Sequence, residues 1–229
     1  LRLAGLGPLG CTCSQRCPGF AAPKPGYDGG MKFCGECGSA LERRVPEGDD
    51  RERLACTSCT WVHYQNPVVV VGCLVERDGD ILLCRRAIEP AHGKWTIPAG
   101  FLELGETMAE GACRETREEA GADVEILAPH SQLELTHIAQ LHMTFRARMR
   151  TDALAPGHES LECAFFAPDA IPWHDMAFPA GIFALRLRFE DRQAEQPQLH
   201  RGQLRWNGEG SRFDARNYII AGHEKLPLA

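Results

Sequence analysis

Three glutamates and four cysteines in this chain stand at spacings that could do chemistry. Glu115, Glu118 and Glu119 fall at i, i+3 and i+4, so a helix would place them on one face within a single turn. Carboxylates packed that closely repel by a few tenths of a kcal/mol per pair, and the arrangement needs either open water or a cation. A hard divalent ion such as Mg²⁺ takes carboxylate and phosphate oxygens together at about 2.0–2.1 Å, so the turn would draw a diphosphate. The cysteines Cys34, Cys37, Cys56 and Cys59 form C-x₂-C-x₁₈-C-x₂-C, a zinc spacing. Four thiolates leave no open position, which makes that Zn²⁺ structural and not catalytic.

The elements that must position these groups follow from pattern. The 229 residues carry 25 Lys+Arg against 31 Asp+Glu, a net charge of −6, which disfavours nucleic acid as a partner. No apolar run approaches the roughly 18–20 residues that cross a bilayer, so no membrane partner is expected. Residues 1–30, rich in Gly, Pro and Cys, are expected to be a disordered leader. The 11 cysteines indicate a reducing, cytoplasmic setting, or an organelle if the acid-poor leader is a transit peptide. Residues 31–66 are too short and polar to hold a core without their metal. From Pro67, PVVVVGCLVE and ILLCRR read as strands of a hairpin turned at Asp78-Gly79, and residues 87–99 as a loop. GETMAEGACRETREEAG is a helix whose face is Met108, Ala109, Ala112, Cys113 and Thr116, closed by Gly121. ADVEILAPHSQLEL, HIAQLHMTFRARM and LECAFFAP are further strands. A second helix covers Phe178 to Arg192 with Ile182, Leu185, Leu187 and Phe189 toward the sheet. Residues 196–229 read as a polar, poorly patterned tail.

The glutamates sit in a longer frame: Gly100, five residues, Glu106, seven residues, Arg114-Glu115-Thr116, one residue, Glu118-Glu119, one residue, Gly121-Ala122. This resembles the Nudix box, G-x₅-E-x₇-R-E-U-x-E-E-x-G-U, and arises by accident in a chain of this size with a frequency of order 10⁻⁶. Only the two aliphatic U positions depart, as Thr116 and Ala122. The resemblance to Nudix hydrolases spans residues 67–195. It implies an α/β/α sandwich with a mixed sheet, preceded by a zinc ribbon, and metal-dependent hydrolysis of a nucleoside diphosphate linked to a second moiety. It further implies that Glu115, Glu119 and the Ala99 carbonyl hold Mg²⁺ or Mn²⁺, and that Glu118 is a ligand or a water-bound partner. Glu106 and Arg114 would pair and hold the helix start. Water attacks phosphorus in such a reaction while the metals lower its pKa and neutralise the leaving phosphate.

Outside the box, Glu159 and Glu162 are the candidates for an additional catalytic acid or base. Trp95 and Phe101 flank the box entrance and offer rings for stacking on adenine or flavin, and Glu103 lies beside them. Arg85 and Arg86 end a strand that leads to the same loop, and alternation sends only one of them inward. His63, His137 and His142 carry no pattern and are expected to be structural. The runs Tyr64-Gln65-Asn66-Pro67, ILLCRR, HGKWTIPAGFLELGET and PGHESLEC are similar to zinc-ribbon Nudix proteins acting on FAD or ADP-ribose. NADH pyrophosphatases of similar layout carry an SQPWPFPxS array, for which the nearest segment here is IPWHDMAFPAG. The small-molecule substrate implied is therefore FAD or ADP-ribose, with NADH or another dinucleotide as the alternative. A non-catalytic nucleotide sensor is the competing class; intact Glu115, Glu118 and Glu119 argue against it. The family resemblance also raises the expectation of a homodimer.

Overall fold

The structure, a computed structural model, describes residues 31–193 and 196–228; the expected leader lies outside the described residues. The N-terminal module is a three-stranded antiparallel sheet of β1 (Leu41–Arg44), β2 (Arg53–Cys56) and β3 (Val62–His63), in that order. Its buried side chains are few and small, namely Cys34, Pro46, Ala55 and Cys56.

The main domain begins with β4 (Val68–Arg77) and β5 (Asp80–Arg86), joined at Asp78 and Gly79, whose φ angles of 52° and 90° are those the Asp-Gly pair predicts. The stretch expected to be loop contains two short strands, β6 (Trp95–Thr96) on β5 and β7 (Ala99–Phe101) on β4. There follow α1 (Met108–Ala120), β8 (Val124–Leu135), β9 (Gln140–Met149), β10 (Ser160–Phe166) and α2 (Pro179–Glu190). Two more strands, β11 (Gln198–Trp206) and β12 (Tyr218–Pro227), occupy what the sequence suggests is a polar tail. The main path of the sheet runs β10-β5-β4-β9-β8-β11-β12, with β4 parallel to β9 and β8 parallel to β11. The pattern escapes notice because alternate residues of β11 turn His200, Gly202, Leu204 and Trp206 inward, and only two of these are strongly apolar.

Alternation along β4 builds the two layers. Val71, Cys73 and Val75 pack beneath α1 with Ala112 and Ala120, whereas Leu74 joins Ile81, Leu83, Ile182 and Leu185 under α2. Small residues let α1 lie close: Gly111, Ala112, Thr116 and Ala120 are buried, while Met108 in its first turn is exposed, unlike the face expected from periodicity. Thr116 fits an aliphatic position because its hydroxyl donates to the Ala112 carbonyl at 2.7 Å. The helix starts at a capping box of Thr107 and Glu110 and ends at Gly121 with φ 62°, the left-handed cap for which glycine is suited.

Glu76, at the end of β4, fastens α2 to the sheet. Its carboxylate accepts from Arg188 at 2.7 and 2.8 Å and from Arg146 at 3.1 Å. Burial pushes the Glu76 carboxyl up, but the two guanidiniums prevail and hold it below its ordinary value. A carboxylate whose pKa is depressed on folding adds stability above its unfolded pKa and loses it as pH falls through the folded value. Glu76→Gln, which leaves two facing guanidiniums without their counterion, is expected to cost about 3 kcal/mol at pH 7. The difference in thermal midpoint from wild type should narrow as the pH is taken below the ordinary carboxylate value of 4.5, which a pH series of melts checks.

Candidate active site

The turn Pro98-Ala99-Gly100 brings β7 under the acidic face of α1. A side chain on Gly100 would collide with the Glu115 carboxylate, so a larger residue here would displace that acid from its place over the turn. Glu119 is only 5% exposed and accepts from the Ala99 amide at 3.3 Å. Burial, and after it the charge of Glu115, pushes the Glu119 carboxyl up to about 8, against the pull of the Ala99 amide and the Arg86 guanidinium. Glu115 is also raised, chiefly by burial, with Arg114 opposing and Glu118 and Glu159 adding to the rise.

One guanidinium organises the exposed side of this cluster. Arg114 makes a two-pronged contact with Glu106 at 3.0 and 2.7 Å, donates to Glu115 at 2.7 Å and Glu118 at 3.0 Å, and reaches the Phe101 carbonyl at 3.0 Å. Its hydrogen bonds, foremost, bring the Glu106 carboxyl down to about 2. Glu106 is thus firmly ionised and tied to the loop, since it also accepts from the Glu103 amide at 2.8 Å.

The loop before β10 is clasped to the C-terminal end of α1. Ala155 donates its amide to the Ala120 carbonyl at 2.8 Å and Gly157 to the Glu119 carbonyl at 3.0 Å, groups a helix end otherwise leaves unpaired. A side chain at Gly157 would run into the Glu118 carbonyl. The clasp carries Glu159 to a cleft of about 880 Å³ that Ala99, Phe101, Glu103, Glu115, Glu118 and Glu119 also line. That volume suits a nucleotide-sized ligand.

Three candidates fall outside this cleft. Glu162 pairs with Arg85 at 3.4 Å, and Arg85 also donates to the Gly93 carbonyl at 2.9 Å. Both side chains are exposed on the other side of the strand, while Arg86 points inward, as alternation requires. Arg86 lines the cleft, donates to the Pro90 carbonyl at 2.9 Å and lies 4.9 Å from the centre of the Phe178 ring. Trp95 is a core residue. It packs edge-on against Phe166, with 4.8 Å between centroids, in the cluster under α2, so its face is not offered to a ligand. Phe101, 54% exposed, keeps its ring available.

The structure adds residues that periodicity does not mark. His142 lines the cleft and meets Gln140 at 2.8 Å, and burial pushes its pKa down to about 4, leaving it neutral. It lies there because the parallel register sets His142 beside Val70, whose other neighbour is Phe101. That pairing, and not a motif, is the signal that could have found it. Phe178 and His158 complete the wall.

The two metal centres implied by the residues can be tested against geometry. Glu119 is buried and Glu115 partly buried, and Arg114 and Arg86 compensate their charge only in part, so both carboxyls are held above their ordinary pKa, a donor set fitted to a hard divalent ion. In the ribbon, Cys34 and Cys59 stand 3.7 Å apart and Cys37 and Cys56 3.4 Å apart, with all four sulfurs within 4.8 Å of one another. Tetrahedral zinc with bonds near 2.3 Å separates its sulfurs by roughly 3.8 Å, so the thiols fit it. Amides of Glu36, Ser58 and Cys59 point at these sulfurs from 3.3–3.4 Å, as they do in knuckles that hold thiolates. The eight described cysteines form no disulfide, and no helix of the described residues is long and apolar enough to cross a membrane.

Comparison with known proteins agrees with this architecture. Residues 66–185 match the NUDIX domain family and residues 32–65 the Nudix N-terminal zinc-ribbon family. The NAD-capped RNA hydrolase NudC of Vibrio atlanticus is 32% identical over 69% of this chain and 56% of its own length. NudC of Stutzerimonas stutzeri is 33% identical over 62% of this chain and 50% of its own. The chain thus spans about half the length of the curated relatives it matches. A solved NUDIX hydrolase from Nitrosomonas europaea is 47% identical, superposes with a TM-score of 0.73, and is covered over 98% of its length by 76% of this chain. With its box intact on α1 and its thiol module ahead of β4, the chain belongs to the Nudix hydrolase family, in the zinc-ribbon group.

Proposed function

We propose that this chain hydrolyses the diphosphate bond of a dinucleotide-type substrate, a nucleoside diphosphate joined to a second moiety, with FAD and ADP-ribose as the preferred substrates. The observation that carries the reading is the convergence of Glu115, Glu118, Glu119 and Glu159 on one cleft that also holds Arg86 and an exposed aromatic ring. Mg²⁺ or Mn²⁺ bound at Glu115, Glu119 and the Ala99 carbonyl would supply charge neutralisation for the diphosphate and acidify water. The residues of the chain do the remainder. Arg114 fixes the rotamers of Glu115 and Glu118, Arg86 offers charge to a phosphate, and Phe101 stacks on a base or flavin ring. Glu159 takes the proton of the attacking water. Orientation of this kind contributes several kcal/mol to the barrier.

Glu159→Gln is accordingly expected to lower kcat by about 10²-fold or more, the scale of a lost general base, with KM little changed. Glu162→Gln, at the outward ion pair with Arg85, should stay within a few-fold of wild type. Steady-state kinetics on the two variants separates them.

A second reading, NADH or another dinucleotide as substrate, is compatible with the curated relatives, which are named as NAD-capped RNA hydrolases. In this chain the segment IPWHDMAFPAG lies along the cleft wall through Phe178, Ala180 and Gly181, but Trp173 turns away to meet Phe189 at 6.0 Å. A panel of FAD, ADP-ribose, NADH, diadenosine polyphosphates and capped RNA, with Mg²⁺ and with Mn²⁺, decides by product chromatography. AMP from FAD or ADP-ribose is expected, with ¹⁸O from labelled water in one product. NADH turning over faster than both would overturn the preference, and label in neither product would overturn the reaction.

A further inference from the structure

A second group of metal-ligating side chains lies away from the cleft, under the C-terminal hairpin. His130 of β8, His200 of β11 and Asp191 at the end of α2 bring one donor atom each to within 4.8 Å of one another. Both histidines are fully buried. His130 donates its Nε2–H to the Ala184 carbonyl of α2 at 2.9 Å, a partner that can only accept, so the proton is on Nε2 and the lone pair on Nδ1. Among the described residues that buried Nδ1 has no hydrogen-bond partner. His200 places Nε2 2.7 Å from the Asp191 carboxylate and Nδ1 3.0 Å from Nε2 of the exposed His223.

We propose that His130 Nδ1, His200 Nε2 and the Asp191 carboxylate form a binding site for a zinc-class divalent transition ion, distinct from both the thiol cluster and the acidic cleft. Two imidazoles and a carboxylate are a borderline donor set suited to such ions and not to Mg²⁺. Donors bonded to one ion at about 2.0–2.2 Å stand roughly 3–4 Å apart, so small side-chain adjustments close the site. The surroundings are those of a histidine ligand set: the remaining N–H of His130 is fixed by a backbone carbonyl, and the remaining nitrogen of His200 is held by His223. A hydrogen-bond network alone would have no use for a bare, buried Nδ1 on a histidine that stands beside the Asp191–His200 pair.

Binding needs no net loss of protons from the pair. The proton that His200 shares with Asp191 leaves Nε2 as Nδ1 acquires one and donates to His223, which passes its own Nε2 proton through solvent to Nδ1. The ion would tie β8, β11 and the end of α2 together, so the site is a staple for the hairpin that completes the sheet.

The test uses the full chain, loaded with excess Zn²⁺, desalted, and read by metal analysis and zinc X-ray absorption. Two retained zinc ions per chain are expected, with sulfur coordination from the ribbon and imidazole outer-shell scattering from the second ion. Asp191→Asn and His130→Phe should each retain one, keeping the sulfur signature and losing the imidazole one. Asp191→Asn preserves shape and hydrogen bonding, so it reports on the metal even if His130→Phe disturbs folding. A single, all-sulfur zinc in wild type would sink the proposal. So would a second zinc without imidazole scattering, or one that survives both substitutions, since either places that ion elsewhere.

Discussion

Glu119→Gln should remove nearly all turnover and leave the fold intact. The side chain lies against the Ala99 amide with almost no exposure, and glutamine fills the same volume. What changes is charge. Burial and the neighbouring Glu115 already push this carboxyl up to about 8, so without a cation its ionised form is the strained one. An amide relieves that strain and at the same time deletes a donor for the metal. Activity is therefore expected to fall by more than about 100-fold, beyond the loss that follows from removing a group that merely orients a ligand. In chelator at pH 8 and above, the thermal midpoint should be equal to or higher than that of wild type. Loss of activity together with stability would mean that Glu119 is a packing residue. Turnover within a few-fold of wild type would place the metal elsewhere.

Removing the ribbon's metal should have the other large effect. Residues 31–66 bury only Cys34, Pro46, Ala55 and Cys56, too little apolar surface to offset the entropy of ordering them. Structural zinc supplies an apparent 10–16 kcal/mol in modules of this kind, roughly. A strong chelator, or Cys56→Ser, is expected to unfold the module while the main domain, with its own two-layer core, survives. Hydrogen exchange should show protection lost across β1 to β3 and retained in β4, β8 and β9. Undiminished protection of β1 to β3 after demonstrated metal loss would contradict the assignment.

The charged frame of the site was legible because its spacing is set by one helix and one turn, both local. Gly100, Glu106, Arg114 and the glutamates needed no tertiary information, and alternation on β5 required that only one of Arg85 and Arg86 face inward, without saying which. Trp95 was not legible: whether a ring beside the box faces ligand or core depends on β6 pairing with β5, and only two residues form that strand. His142 needed the parallel register of β9 on β4. The hairpin of β11 and β12 was hidden for a related reason. It joins the sheet by parallel pairing to β8, more than sixty residues earlier, and its inward positions hold a histidine and a glycine between its few apolar side chains. His130 and His200 are likewise unremarkable in sequence, because neither has a ligand neighbour closer along the chain than Asp191.

The clasp between the loop before β10 and the end of α1 bears on how this chain can vary. Its two hydrogen bonds run from backbone amides to backbone carbonyls, at Ala155 to Ala120 and Gly157 to Glu119. The position of Glu159 relative to Glu119 is therefore a property of main-chain length, and nearly indifferent to the side chains between. Lineages can rewrite residues 151–153 freely, retuning what the loop presents to solvent, whereas Leu154 packs against the core beneath α1 and a single insertion between Ala155 and Glu159 would shift the acid off its mark. Gly157 is the one letter in that stretch without a substitute, since the Glu118 carbonyl occupies the space any side chain would need.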